Sequence, residues 1–274
     1  MKRYIKIYFK LILQHLKSIL EYRVDFLIGI LSFIFIQISG IIFLDVLVKD
    51  TGILGWSYYE LLVIYGMFQI PRGIDHLLTD NLWLISYYVR RGLFDKYLTR
   101  PINVLFHIIA ERFQIEAFGE LIVGITILAI AIPKLSLKIT FLNVIYLILF
   151  IIIGSIMYTC IKLMASSLAF WTKDSQPIVS LSFQVATFTK NPIEIYPQPL
   201  RFLLVYILPF AFTSYFPSMY ILSRFGSDFE GLDWVIIKSP EGLLLQGFIT
   251  MFFFILIALF IWNKGLKRYE SAGS

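Results

Sequence analysis

Charged side chains are scarce inside the apolar stretches of this chain, and the few found there are the first candidates for chemistry. Arg72, Asp75 and His76 lie close together, and the three-residue spacing of Arg72 and Asp75 lets them pair on one face of a helix. Glu111, Arg112, Glu116 and Glu120 form a second group, in which Arg112 and Glu116, and Glu116 and Glu120, stand four residues apart. Lys162 sits alone well inside a third apolar stretch. An ionised group in hydrocarbon is costly, so each of these positions is either functional or part of a structural ion pair. For Arg72 and Asp75 the structural reading is a pair near the lipid headgroups. For Glu111, Arg112, Glu116 and Glu120 it is an inner helix end that projects into the cytosol or packs on the loop helix. Lys162 could snorkel, pair with an acid or line a cavity. The motifs of enzymatic chemistry are missing: there is no G-x-x-x-x-G-K-[ST] loop, no H-E-x-x-H and no G-x-S-x-G. His15, His76 and His107 are far apart in sequence, and the single cysteine, Cys160, can build neither a disulfide framework nor a cysteine zinc site.

The elements that carry these residues follow from composition. Apolar residues make up 58% of the chain and charged ones 15%, against roughly 45–50% and roughly 25% in a soluble domain. Such a chain cannot cover a water-facing surface, and in lipid its backbone must satisfy itself in helices or a closed barrel. The apolar runs are long and unbroken, which selects helices over alternating barrel strands. The expected fold is therefore all-α, a polytopic membrane protein in one transmembrane domain over residues 1–274. A crossing takes about 20 apolar residues, and six stretches come close: 24–48, 58–78, 106–132, 141–170, 177–188 and 243–262. Before them, residues 1–22 mix Lys2, Arg3, Lys6, Lys10 and Lys17 with Ile5, Phe9, Ile12, Leu16 and Ile19 at helical spacing. This predicts a helix lying in the membrane interface, the alternative being a short continuation of the first span. The net charge of +6 does not point to nucleic acid, because the basic residues flank the apolar runs. With the N-terminus inside, Arg23, Arg90, Arg91, Lys96, Arg100, Lys173, Lys264, Lys267 and Arg268 fall on the inner side, while acids such as Asp50, Glu194 and Asp228 dilute the outer one. Both termini are then cytoplasmic.

Two connections are distinctive. In the inner loop, residues 81–103, Leu93, Phe94, Tyr97 and Leu98 are expected to form one apolar face of a short helix opened by Gly92 and ended by Pro101. Asp95 early in that helix, and Lys96 and Arg100 later, suit its dipole. An isolated helix this short is unstable in water and must dock, either on the bilayer or in a groove of a soluble partner. The second connection, residues 189–240, contains an apolar stretch from Phe202 to Leu222 crowded by Pro197, Pro199, Pro209 and Pro217. Proline breaks helical hydrogen bonding, so a re-entrant or interfacial hairpin is expected there rather than a seventh span.

At these two connections the sequence resembles the membrane permeases of ABC type-2 exporters, within a bacterial branch of six-span proteins of about this length. The resemblance is carried in order along the chain. It begins with Gly55-Trp56-Ser57, Tyr65-Gly66 and Arg72-Gly73. It continues through Tyr88-Val89-Arg90-Arg91-Gly92-x-Phe94-Asp95 with Thr99-Arg100-Pro101, and through Phe170-Trp171-Thr172. It ends with Pro192-x-x-Ile195-Tyr196-Pro197, Leu200-Arg201, Pro209-Phe210-Ala211-Phe212 and Tyr215-Phe216-Pro217. It implies an interfacial elbow helix, six spans, a cytoplasmic coupling helix between the second and third, and extracellular re-entrant helices before the sixth. It also implies two copies of a separate ATP-binding-cassette ATPase, which would hold ATP and magnesium, and a second permease subunit, identical or related. No cofactor is expected in this chain, and its place would be the bacterial cell membrane. On this reading Arg90, Arg91, Gly92, Leu93, Phe94, Asp95, Tyr97, Leu98 and Arg100 couple to the ATPase. Pro192, Tyr196, Pro197, Arg201, Pro209, Phe216 and Pro217 shape the re-entrant gate, and Arg72, Asp75, Arg112, Glu116 and Lys162 are intramembrane charges. The rival reading is a secondary transporter or channel working without an ATPase, for which paired repeats or mid-membrane polar residues would be usual; no repeat is visible. A membrane enzyme, or an assembly or immunity subunit, are further alternatives.

Overall fold

The computed structural model describes residues 7, 8, 10, 12–14, 17, 23–51, 55–137, 139–222 and 239–271. The interfacial helix expected over 1–22 lies outside the described residues apart from those scattered positions. The turn at Gly52 and residues 223–238 of the re-entrant segment also lie outside them. The described residues form helices and turns, with no strand among them. The α-helices are α1 (Arg23–Thr51), α2 (Tyr58–Thr79), α3 (Ile85–Arg90), α4 (Asp95–Leu98), α5 (Val104–Glu111) and α6 (Phe118–Lys134), followed by α7 (Phe141–Ser167), α8 (Ala169–Thr172), α9 (Gln176–Ala186), α10 (Gln198–Phe202), α11 (Tyr215–Ile221) and α12 (Pro240–Arg268).

Local chemistry sets where the long helices start. Ser57 accepts the Glu60 N–H at 3.4 Å while the Glu60 carboxylate accepts the Ser57 N–H at 2.8 Å, a reciprocal cap that opens α2. Thr140 caps α7 through the Asn143 N–H, and Ser239 caps α12 through the Gly242 N–H with Pro240 in the first turn.

Helix α2 is the centre of the bundle, buried along most of its length between α6, α7 and the hairpin of α10 and α11. Its approach to α6 is close because both helices present glycine. A Cβ on Gly66 would lie 3.2 Å from the Gly124 oxygen, and one on Gly124 would lie 3.1 Å from the Gly66 oxygen. On the periphery, Leu27, Phe35 and Ile36 of α1, Ile122 and Ile125 of α6, and Phe252, Phe253 and Phe260 of α12 are exposed, an apolar belt suited to lipid.

By length and composition, three described helical stretches can cross a membrane: Ile115–Lys134, Phe141–Thr172 and Glu241–Arg268. A fourth is added if Gln198–Ile207 and Phe210–Ile221, bent by 74°, count as one span. The helix expected over 58–78 forms as α2 but is not among these. The helix expected over 177–188 is the 11-residue α9, about 16 Å long and short of a hydrocarbon core. The helix expected over 106–132 is interrupted. After α5 the chain turns extended at Arg112 (φ −133°, ψ 134°), and the Gln114 N–H bonds to the Leu77 oxygen at 3.3 Å, tying the break to the end of α2. Arg112 and Glu116 therefore do not share a helix face.

The glycine contact gives a test of the packing. Gly124→Val should lower stability by about 1–3 kcal/mol through overpacking, read as a drop in the thermal unfolding midpoint in detergent. The same change at Ile125, on the outer face of α6, should leave the midpoint near wild type.

Candidate functional site

The loop end of the bundle is built around two buried rings. Phe94 is fully enclosed, its ring centroid 5.1 Å from Phe170, 4.9 Å from Tyr269 and 6.4 Å from Trp262. Tyr97 is equally buried, 5.4 Å from Tyr88 and 4.9 Å from His107, and its hydroxyl donates to the Glu111 carboxylate. Leu93 and Leu98 are exposed instead. The apolar face expected to unite Leu93, Phe94, Tyr97 and Leu98 is thus split, with the aromatic pair turned into the chain's own core and the leucines outward. Gly92 does not open the helix. With φ +67° it closes α3, a backbone state that favours glycine, and α4 begins only at Asp95.

Polar contacts fix the loop on every side. Arg90 pairs with Asp174 at 2.9 Å, and Ser86 bonds Ser175 at 2.8 Å. Asn81 donates to the Ile108 oxygen and accepts the Tyr88 hydroxyl. The Asp95 carboxylate accepts the Tyr269 hydroxyl at 2.9 Å and the Ser271 hydroxyl at 2.6 Å, so the chain's tail is tied to the loop. Burial and the adjoining Asp95 push the Tyr269 phenol up to about 12. Lys96 pairs with Glu111 at 2.9 Å. Burial raises the Glu111 carboxyl, but the Tyr97 and Lys96 contacts outweigh it and bring it below its ordinary value. Arg100 lies 2.9 Å from His107 Nε2, and burial, against the opposing pull of Glu111 and with Arg100 and Lys96 adding to it, holds the imidazole below its ordinary 6.5. The ring is then neutral, with Nε2 accepting from the guanidinium. The Arg91 side chain is exposed, its guanidinium 5.9 Å above the Tyr87 ring.

Deeper in the bundle the charges pair between helices, not along them. Lys162 Nζ lies 2.6 Å from Asp75 Oδ2, both side chains having no exposed surface. Thr79 and Thr159 donate to Asp75 Oδ1 at 2.7 and 2.8 Å, and Lys162 donates to Thr79 at 3.2 Å. Of the fates open to Lys162, pairing with an acid is the one realised. The expected Arg72–Asp75 pair is not made: Arg72 reaches Glu120 of α6 at 3.7 Å, and His76 Nδ1 reaches the same carboxylate oxygen at 3.0 Å. Helical rotation explains this, since positions 72 and 76 face α6 while 75 and 79 face α7. Glu116 lies against α1 at Gly29, and Arg112 pairs with Asp80 at 3.3 Å. Sequence reasoning overlooked Gln37, whose side-chain oxygen accepts from Tyr65 at 2.6 Å and also from Gln69, joining α1 to α2. A lone glutamine within an apolar span was the available signal. Among the described residues no group of three or more His, Cys, Asp or Glu could hold a metal ion.

At the far end, the proline-rich hairpin is pinned by side chains bonding to main-chain oxygens. Arg201 donates from Nε to the Tyr196 oxygen at 2.6 Å and from Nη2 to the Glu194 oxygen. Tyr196 donates to the Phe188 oxygen at 3.0 Å, and Tyr215 to the Glu194 carboxylate. Pro192, Pro209, Phe216 and Pro217 are buried, and Pro197 stays exposed at the start of α10. Arg201 and Tyr215 meet at Glu194, with Tyr196 tied to Arg201 beside them.

The family model described as ABC-2 family transporter protein matches residues 34–273. No curated protein and no solved structure matches the chain.

Lys162→Met leaves Asp75 buried without its counter-charge and should cost about 3–5 kcal/mol. Asp75→Leu combined with Lys162→Met should recover most of it, both measured by thermal unfolding in detergent. The loop end should also loosen in acid. His107 titrates below 6.5 when folded and near 6.5 when unfolded, so its contribution is complete above 6.5 and is lost as pH falls through the folded value. The unfolding midpoint should drop across that window, and His107→Gln should flatten this part of the dependence.

Proposed function

The chain belongs to the ABC-2 family of transporter proteins, and from that premise we propose that it is the permease of an exporter driven by a separate ATPase, with both termini in the cytoplasm of a bacterial cell. Five crossings of this reading are α1, α2, α6, α7 and α12; the sixth falls to α9 continued by the turn Thr187–Lys190, a short span that would need the bilayer to thin around it. Two ATPase copies would bind ATP and magnesium, and a second permease, identical or related, would face this one across the path.

The observation that carries the reading is the construction of the loop at residues 91–98. Its buried half is locked to α8 and α12 through Phe94, and to α5 through Tyr97 and Glu111. Its outer half presents Arg91, Leu93 and Leu98. A four-residue helix has no stability of its own. Held in this way, it is a stiff foot through which a push from a partner would reach the long helices. Closure of the ATPases would press on Leu93 and Leu98, rotate α2 with α6, and release cargo past the hairpin that Arg201 and Tyr196 hold. The apolar spans suit an amphipathic or lipid-like cargo.

The buried Asp75–Lys162 and His76–Glu120 pairs are what would suit the rival reading, a secondary transporter. Transport that stops when ion gradients collapse with ATP intact would favour that rival.

Leu93→Asp with Leu98→Asp should reduce ATPase co-purification about tenfold or more, the loss of an apolar contact worth about 1.4 kcal/mol or above, with membrane insertion unchanged. Phe94→Ala should instead lower the yield of folded protein. Undiminished ATPase capture by the double variant would remove the docking assignment.

A further inference from the structure

Between α2 and α7 lies a cleft of about 240 Å³ lined by Ile74, Asp75, Leu78, Thr79, Ile152, Ser155, Ile156 and Thr159. Its lining surface is almost wholly isoleucine and leucine, with a small polar patch, here called the floor, at Asp75, Thr79, Ser155 and Thr159. We propose that this cleft is a binding site for a small neutral molecule with an apolar body and one hydrogen-bond-donating hydroxyl.

A cavity of about 150 Å³ lined by Leu, Ile and Phe holds benzene; this one is about half as large again, room for an eight-carbon alcohol or a short-chain alkylphenol. The headgroup argument comes from counting donors. The Ser155 hydroxyl spends its proton on the Ile151 oxygen at 2.7 Å. The Thr159 hydroxyl lies 2.8 Å from Asp75 Oδ1 and 3.1 Å from the Ser155 oxygen, and the Thr79 hydroxyl is spent on Asp75. The floor therefore offers acceptor lone pairs and no free proton. Ser155 is 93% buried, and among the described residues nothing donates to its Oγ. Asp75, 1% exposed, is already matched: Oδ2 takes the Lys162 ammonium at 2.6 Å, and Oδ1 takes the two threonine hydroxyls. The lone pairs left over are those of the Ser155 and Thr159 hydroxyls, and a donating hydroxyl can use them.

Charge decides between the donors. Lys162 already neutralises Asp75 at 2.6 Å. An ammonium entering the cleft would add net positive charge in a low-dielectric site, whereas a hydroxyl adds none. An alkane fills the walls but leaves the floor unmatched, and a carboxylate would meet acceptors. The site is separate from the loop end and from the hairpin, and the inference does not rest on the transporter reading.

The test uses the full chain in nanodiscs and an octanol carrying a diazirine on its tail. Photolabelling followed by mass spectrometry should place adducts mainly on Ile74, Leu78, Ile152 and Ile156. Unlabelled octanol should compete about tenfold better than octane or octylamine, the worth of one hydrogen bond to a buried acceptor. Ile156→Phe, at the half-buried wall, should fill the cleft and abolish the saturable part of the labelling. Competition in the wild-type chain decides the matter even if that variant folds poorly. Equal competition by octane would overturn the proposal, as would labelling spread evenly over the outer faces of α1 and α12. Stronger competition by octylamine would overturn the choice of a neutral head.

Discussion

Charge buried among apolar helices constrains this molecule more than any other feature. Asp75, Glu120 and Lys162 have no water to solvate them, and each must find an opposite charge or a donor from another helix. Asp75 finds Lys162 of α7, and Glu120 finds Arg72 and His76 of α2. Apolar packing alone is tolerant of rotation in lipid, where the tails outside are as apolar as the side chains within. Two directional pairs set on neighbouring faces of α2 are not. They fix the rotation of α2 against α6 and α7 together, and the Gly66–Gly124 contact then sets how closely α2 and α6 approach. Gln37 adds α1 to the same helix through Tyr65 and Gln69.

From this fixed helix the loop end is reached in a few residues. Asp80, just past the end of α2, pairs with Arg112, and Asn81 bonds the Ile108 oxygen, so the break between α5 and α6 is held by the residues that follow α2. The loop is anchored on the other side by Phe94 among Phe170, Trp262 and Tyr269, and by Asp95 on the tail hydroxyls. Displacement of residues 91–98 must then be shared by the ends of α2, α5, α8 and α12. This sharing gives the proposed coupling its mechanical content, because a push on a freely hinged loop would be absorbed locally.

Much of this was legible in the sequence, and the exceptions have physical causes. Apolar run length places α1, α2 and α7 to within three residues and finds α12, which continues six residues past its apolar run, because a long helix is specified by many side chains at once. The start of α6 is misplaced because the break at 112–114 depends on a bond from Gln114 to Leu77, a contact distant in sequence. The pairing of Arg72 and Asp75 follows spacing on one helix, but the partners at Glu120 and Lys162 exist only once helices meet. In the same way, the loop's amphipathic pattern reads as one docking face, although Phe94 and Tyr97 serve the chain's own core. Periodicity reports that a residue is apolar on a face; it does not report which of two apolar surroundings covers it. The break between Ile207 and Phe210, where the two helical pieces bend by 74°, falls at Pro209, since proline acts locally on the backbone.

That hairpin shows how the far end joins the same framework. Where a helix breaks in a buried place, its backbone polar groups must be satisfied within the protein, and here side chains do what helical bonds cannot. Arg201 takes the carbonyls of Glu194 and Tyr196, and Ser214 takes that of Thr189 at 2.6 Å. The bend is then pressed onto α7 at Gly154, where a Cβ would lie 3.0 Å from the Thr213 Cα and 3.1 Å from the Pro71 Cβ. Hairpin, α7 and α2 therefore meet at one point, and Pro71 lies about one helical turn from Asp75. The bent segment cannot shift toward the bundle without moving the helix that carries the buried charges. A rearrangement of Asp75 and Lys162 would be felt at Thr213 through the same contact. The two ends of the molecule are linked through α2, with the ion pair between α2 and α7 holding their register and Gly154 allowing the approach.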